Sequence, residues 1–285
     1  MRKQYTFLLI SISLFISCAK DKGNILFSSN RNGNSDIYIM DFDGKNQMPL
    51  TQTAFEEWSP TWINKNEISF LRQNNDSIFR VKLNLKTMKE SRLKHPTNCL
   101  LDDKNVLYSD GLEIYTCEGD IFLYRLTTNE TLNITHEIGG SANYPSLSND
   151  GKYVIFTSNH LGKNQIFEYE VDSKSIRQLT NSNSNNERGD LSSNKKLLAY
   201  SSDYFEKGNQ EIVIKNLENG ELKNISKSSG MELIARFSKD GKNLYFGTNK
   251  DGNWEIYSYD LETENKIRLT HNNKFDGDPR ILKNK

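Results

Sequence analysis

Six charged residues are the candidates for chemistry, because they recur at two fixed places of a repeat. Asp190, Arg236 and Arg280 occupy one place in their copies, and Glu57, Glu232 and Asp276 occupy another, four residues earlier. Two guanidinium groups beside one carboxylate can hold a carboxylate, a peptide end or a sugar. Two converging carboxylates would instead serve acid–base work on a glycosidic bond. Solvated loops around a water-filled channel carry the same residue types. The choice among these readings depends on how the chain positions them.

No catalytic constellation accompanies the six. There is no G-x-S-x-G nucleophile elbow. His136-Glu137 opens like a zincin motif but lacks the second histidine at the required spacing. His95, His136, His160 and His271 fall in different repeats, whereas a zinc site gathers three or four ligands. The Asp-Gly pairs lack the aspartate ladder of a calcium loop. No metal and no other cofactor is expected.

The 285 residues include 37 basic and 37 acidic side chains, and 35% are hydrophobic. That is the composition of a packed domain, and balanced charge without a basic run leaves no footprint for nucleic acid. Arg2 and Lys3 precede an uncharged, mainly apolar stretch over residues 5–17. It is too short to cross a bilayer, which takes about 20 residues, and it reads as a signal peptide over residues 1–17. It ends Leu14-Phe15-Ile16-Ser17-Cys18, which resembles a lipobox. Cys18 would then carry lipid, and residues 18–23 would link the anchor to the domain. An ordinary signal peptide with an incidental cysteine is the alternative. A lipid tether holds a protein at a membrane face without spanning it. Ala19, rather than Asp, after the cysteine implies an outer-membrane lipoprotein facing the periplasm or the cell surface. Lys20-Asp21 resembles the start of a surface-export signal.

The elements that must position the candidates are strands. An alternating strand, a turn and a second strand ending in Leu-Thr or a variant begin at Ile37, Ile78, Ile121, Ile166, Ile212 and Ile256. This spacing, roughly 41 to 46 residues, fits one four-stranded propeller blade per copy. Between these units lies another strand, turn and strand, clearest over Pro145–Phe156 and Arg236–Phe246. Asp-Gly at 150–151 and 240–241 predicts two-residue type I′ turns there. Each copy thus has four strands, A to D from the channel outward. No blade covers both faces of its own sheet, so the blades must close a ring. Asn24–Ser29 matches strand B and Asp278–Leu282 matches strand A, so the two ends are expected to share one blade.

The expected fold is therefore all-β: a six-bladed β-propeller of four-stranded blades over residues 24–285, its ring closed by N-terminal strands plus a C-terminal strand. Strand A lines the channel of a propeller. The residue after the proline position would present Thr61, Thr97, Ser146, Asp190, Arg236 and Arg280 as an inner patch. The residue three before it would present Glu57, Ala142, Asn186, Glu232 and Asp276 as a rim. Cys99 is expected at the start of a strand A, and Cys117 in an extended B–C loop of the same blade. With Cys18 lipidated, these two form an even pair in an oxidising compartment. A Cys99–Cys117 disulfide is one expectation, and two buried thiols are the other.

Phe27 to Gly33 (FSSNRNG), Ile37-Tyr38, Leu50-Thr51 and Ser59-Pro60-Thr61-Trp62 resemble the TolB-type, WD40-like repeat. Thr248 to Gly252, Ile256-Tyr257 and Leu269-Thr270 repeat the pattern. The resemblance covers nearly all of residues 24–282. The second copy departs most: Leu71 to Leu93 lacks the glycines and the Leu-Thr ending. The resemblance implies a non-catalytic binding or scaffold module of the cell envelope, presenting loops and a channel mouth to a protein or peptide. The family's adaptor carries a separate N-terminal domain, which the few residues between Cys18 and the first expected strand do not provide. The alternative is a carbohydrate-binding or carbohydrate-active propeller, with Trp58, Tyr144 and Phe275 as platforms beside the carboxylates. A structural envelope protein without a small ligand is the third reading.

Overall fold

The computed structural model describes residues 25–94, 107–109 and 111–283. The signal segment, Cys18, His95, Thr97 and Cys99 lie outside the described residues. Within them the short apolar runs form six antiparallel sheets of four strands. In the fourth blade, Ala142–Leu147, Tyr153–Ser158, Gln165–Glu170 and Ile176–Gln178 follow one another from the channel outward. The two middle strands are buried almost throughout, whereas the outermost is mostly exposed. A strand covered by a neighbouring blade on each face needs apolar side chains on both.

Six hydrophobic clusters fill the six seams between blades. Ile25, Phe27 and Ile281 meet Tyr245, Ile256 and Leu269 at one seam, and Ile114, Ile121 and Leu123 meet Phe156, Phe167 and Tyr169 at another. Fully burying one such side chain stabilises by about 1.5–3 kcal/mol. The ring is closed by Asp276–Ile281, which lies as strand A against Ile25–Ser29, with Ile25 opposite Ile281 and Ser29 opposite Asp276.

The Leu-Thr ending is a lock. The hydroxyls of Thr51, Thr135, Thr180, Ser226 and Thr270 accept the backbone N–H of Ile37, Ile121, Ile166, Ile212 and Ile256 at 2.8–3.0 Å. Each bond ties the end of strand D to the start of strand C and satisfies a buried donor. In the second blade Leu93 N–H reaches the Arg80 carbonyl (2.9 Å), as Leu179 reaches Ile166 (2.8 Å). Arg80 and Lys94 therefore hold the places of the isoleucine and the threonine, and no hydroxyl is available. That blade is clamped by Arg72, which donates to Glu57 (2.5 Å) and forks onto both oxygens of Glu90 (2.7 and 2.8 Å).

Two local expectations are corrected. The Asp-Gly hairpins are not two-residue type I′ turns, since only Gly151 (φ 73°) and Gly241 (φ 72°) are left-handed. Asp150 instead accepts from the Ser148 hydroxyl (2.6 Å) and the Lys152 N–H (3.2 Å), closing a longer connection. Asp240 does the same with Ser238 and Lys242. In the third blade the innermost described strand is Leu107–Ser109, and the strand expected to begin near Cys99 lies outside the described residues. Cys117 ends the next strand, Leu112–Cys117, rather than lying in an extended loop. The turn after it is tight, because Glu118 (φ 49°) and Gly119 (φ 85°) are both left-handed. Cys117 is disulfide-bonded, and its expected partner Cys99 lies outside the described residues.

Candidate functional site in the central channel

Strand A is bulged in five blades. The register slips between Trp58 and Thr61, Asn143 and Ser146, Glu187 and Asp190, and Leu233 and Arg236, and opposite Leu26 and Ser28 in the closing blade. At each bulge one non-glycine residue is left-handed: Ser59 (53°), Tyr144 (53°), Arg188 (58°), Ile234 (62°) and Asp278 (55°). Such a conformation costs a β-branched residue most. The bulge re-aims the side chain, and all five of these residues line one cavity of about 260 Å³. Trp58, Phe275, Arg236 and Arg280 complete most of its wall. It lies toward the face where the D–A and B–C connections emerge.

A second space of about 70 Å³ lies deeper, toward the A–B turns, among Thr61, Ser146, Asp190, Arg236, Arg280 and Lys283. The structure thus brings Asp190, Arg236 and Arg280 together, with Arg236 and Arg280 bordering both spaces. Leu107 stands here for the third blade. The Lys283 ammonium donates to Asp190 Oδ1 (2.5 Å), crossing the channel from the closing blade to the fifth. Asp190 Oδ2 also accepts the Phe237 N–H (2.9 Å). Neighbouring A–B turns meet at this end: Asn149 donates to Ser193 (2.6 Å) and to the Lys239 carbonyl (3.3 Å), and Ser193 also donates to that carbonyl. This end is therefore constricted.

Four cations, Arg188, Arg236, Arg280 and Lys283, and two carboxylates, Asp190 and Asp278, line the two spaces. Arg280 pairs with Asp278 (2.9 Å), and Arg188 pairs with Glu187 (2.9 Å) while lying 3.8 Å from the centre of the Tyr144 ring. Arg236 is 4% exposed, and its hydrogen bonds run from Nη1 to the carbonyls of Arg188 (3.2 Å) and Ala235 (2.9 Å). Burial, reinforced by Arg280, lowers its pKa to about 10. Burial likewise lowers that of Lys283, against the pull of Asp190.

The acidic rim does not form. Glu57, Glu232 and Asp276 are buried (0%, 1% and 0% exposed), lie in separate blades and line neither channel space. Each is held by its own blade. Glu57 accepts from Arg72, Glu232 from Thr248 (2.9 Å) and Ser228, and Asp276 from Arg31 (2.8 Å) and Asn272. Burial raises the pKa of all three carboxyls. They staple strand A to strand B, and they do not converge as a catalytic pair. Among the described residues no three His, Cys, Asp or Glu side chains gather to hold a metal. The residues missed from sequence were Arg188, Ile234, Asp278 and Lys283. Arg188, Ile234 and Asp278 each stand two residues before a patch residue, on the same face of an alternating strand, and Lys283 carries charge.

No protein-family model matches the chain, and no curated protein matches it. Solved structures do. TolB from Acinetobacter baumannii superposes with a TM-score of 0.77 at 19% identity, over 91% of this chain and 66% of that one. This chain therefore spans just under two thirds of that protein. A putative TolB from Agrobacterium tumefaciens gives 0.70 at 15% identity, over 89% and 90% of the two chains. An oligogalacturonate lyase in complex with manganese gives 0.55 at 14% identity, over 80% and 72%. The fold is thus a six-bladed propeller of the TolB type.

Proposed function

We propose that the chain is a non-catalytic binding scaffold of the cell envelope, anchored through lipid on Cys18, whose channel mouth receives a protein or peptide partner. Fold alone does not assign function, so the proposal stands on the site. One observation carries it: five strained bulges aim Ser59, Tyr144, Arg188, Ile234 and Asp278 into one cavity at the loop face. Left-handed backbone at non-glycine positions costs energy and collects at ligand clamps. Arg and Tyr at the cavity are residue types enriched at the energetic centres of interfaces. The similarity to TolB structures supports a propeller that binds rather than catalyses. An outer-membrane position follows from Ala19 in the sorting pattern.

Cross-linking in intact cells followed by pull-down tests the proposal, with wild type beside Tyr144→Ser/Arg188→Ser. Recovery of one envelope protein by wild type and its loss in the variant is expected. Equal recovery by both would move the binding surface away from the mouth. Recovery of sugar alone would favour a glycan binder. That reading is supported by Trp58, Tyr144 and Phe275, which line one cavity.

A further inference from the structure

We infer that the channel contains a built receptor for a single carboxylate, with the guanidinium of Arg236 as its anchor and the aromatic side chains around the mouth taking the apolar part of the same ligand. This deepens the binding reading proposed above and rests on it.

The argument begins with charge. Three ion pairs border the channel: Arg188 with Glu187, Arg280 with Asp278, and Lys283 with Asp190. Each cancels itself. Arg236 is left, and among the described residues no carboxylate pairs with it. A buried cation in no contact ion pair is costly; burial and the neighbouring Arg280 lower the pKa of Arg236, and the more distant pull of Asp190 and Asp278 does not offset them. Its Nη1 is spent on two backbone carbonyls, which orient the group. The Arg236 side chain borders the spaces on either side. An arginine held this way meets a carboxylate with two parallel hydrogen bonds.

Charge and size then choose the ligand. One uncompensated positive charge matches a monoanion and leaves a phosphate dianion half neutralised. The cavity of about 260 Å³ has room for roughly nine waters at about 30 Å³ each, more than a halide needs. Trp58, Tyr144 and Phe275 line the same cavity, each from a different blade. A ligand with an apolar group beside its carboxylate, such as a peptide C-terminus or an acidic side chain next to an aromatic one, satisfies both. With the A–B end constricted by Lys283 and the turns, such a segment enters from the loop face.

The test is calorimetric titration of the purified full chain with N-acetylphenylalanine, its amide, glucuronate and inorganic phosphate. The acid is expected to bind about ten- to a hundredfold more tightly than the amide, as one charge-assisted hydrogen-bonded contact implies. Arg236→Met should abolish that preference and Arg236→Lys should keep part of it. The acid–amide comparison on wild type does not depend on any variant folding. Equal binding of acid and amide, or phosphate binding more tightly than every carboxylate, overturns the inference. Glucuronate binding without N-acetylphenylalanine keeps the carboxylate receptor and overturns the peptide reading. No binding of any acid, with a partner still recovered by cross-linking, overturns this inference alone.

Discussion

Replacing Thr180 by Val removes one hydroxyl and almost no volume. In the wild type that hydroxyl is 3% exposed, accepts the Ile166 N–H at 2.8 Å and donates to Gln165 Oε1 at 3.0 Å. Gln165 Oε1 keeps the Asn186 amide at 3.0 Å, so its loss is partly covered. The Ile166 N–H has no substitute acceptor in that seam. The cost is therefore that of one orphaned buried donor, about 2 kcal/mol. For a chain of this size that lowers the melting temperature by roughly 4–8 °C. Thr180→Ser keeps the oxygen and loses a methyl group worth about 0.8 kcal/mol, so it should fall less than half as far. The fifth blade already uses serine here, at Ser226. Scanning calorimetry on the three proteins decides the matter. A valine variant melting within about 1 °C of wild type, or a serine variant losing as much as the valine one, would refute the hydroxyl lock.

Lys283→Met should destabilise by about 3 kcal/mol in denaturant titration, because it leaves a buried Asp190 carboxylate uncompensated. The double variant Asp190→Asn/Lys283→Met should recover more than half of that; no recovery would mean that Lys283 acts by packing alone. Glu113 is 3% exposed, and burial raises its pKa to about 7 against the pull of Arg80. Its protonated form favours the folded state, so stability is full below pH about 4.5 and falls as pH rises through 7, by up to roughly 3 kcal/mol. Glu113→Gln should flatten the melting-temperature profile between pH 5 and 8, and an unchanged profile would assign the slope to other buried carboxyls. Ile234→Asn should raise the melting temperature by about 2–4 °C by relieving left-handed backbone at a β-branched residue. A lower one would show that packing of the isoleucine outweighs the strain.

The repeat was legible because its causes are local. Apolar alternation marks strands C and D, and Leu-Thr marks their lock. The site was half legible, and the bulge explains which half. From Leu233 to Arg236 strand A advances three residues while its partner, Gly247 to Tyr245, advances two. The extra residue turns the face that plain alternation predicts. Glu232, four residues before Arg236, therefore does not share its face and goes instead to Thr248. Arg188, Ile234 and Asp278 stand two residues before Asp190, Arg236 and Arg280, on the face that alternation also gives the inner patch, and at the bulge their backbone turns left-handed toward the cavity. In the third blade Cys117 pairs with Asp120 across Glu118 and Gly119, so a strand runs where Cys117-Glu118-Gly119 suggests an extended loop.

The shared blade also sets an order of events during synthesis. Arg31 and Asp276, which form an ion pair, are 245 residues apart in the chain. Strand Ile25–Ser29 is made early but gains its inner neighbour only when Asp276–Ile281 appears. Until then it presents an unpaired edge, the kind of surface that templates wrong strand pairing. The other five blades each pair from contiguous chain and can form in turn. The last step joins the most distant contacts, which is the slow part of folding for such a topology. A chaperone that binds extended edges would therefore find in Ile25–Ser29 an edge that is made early and paired late.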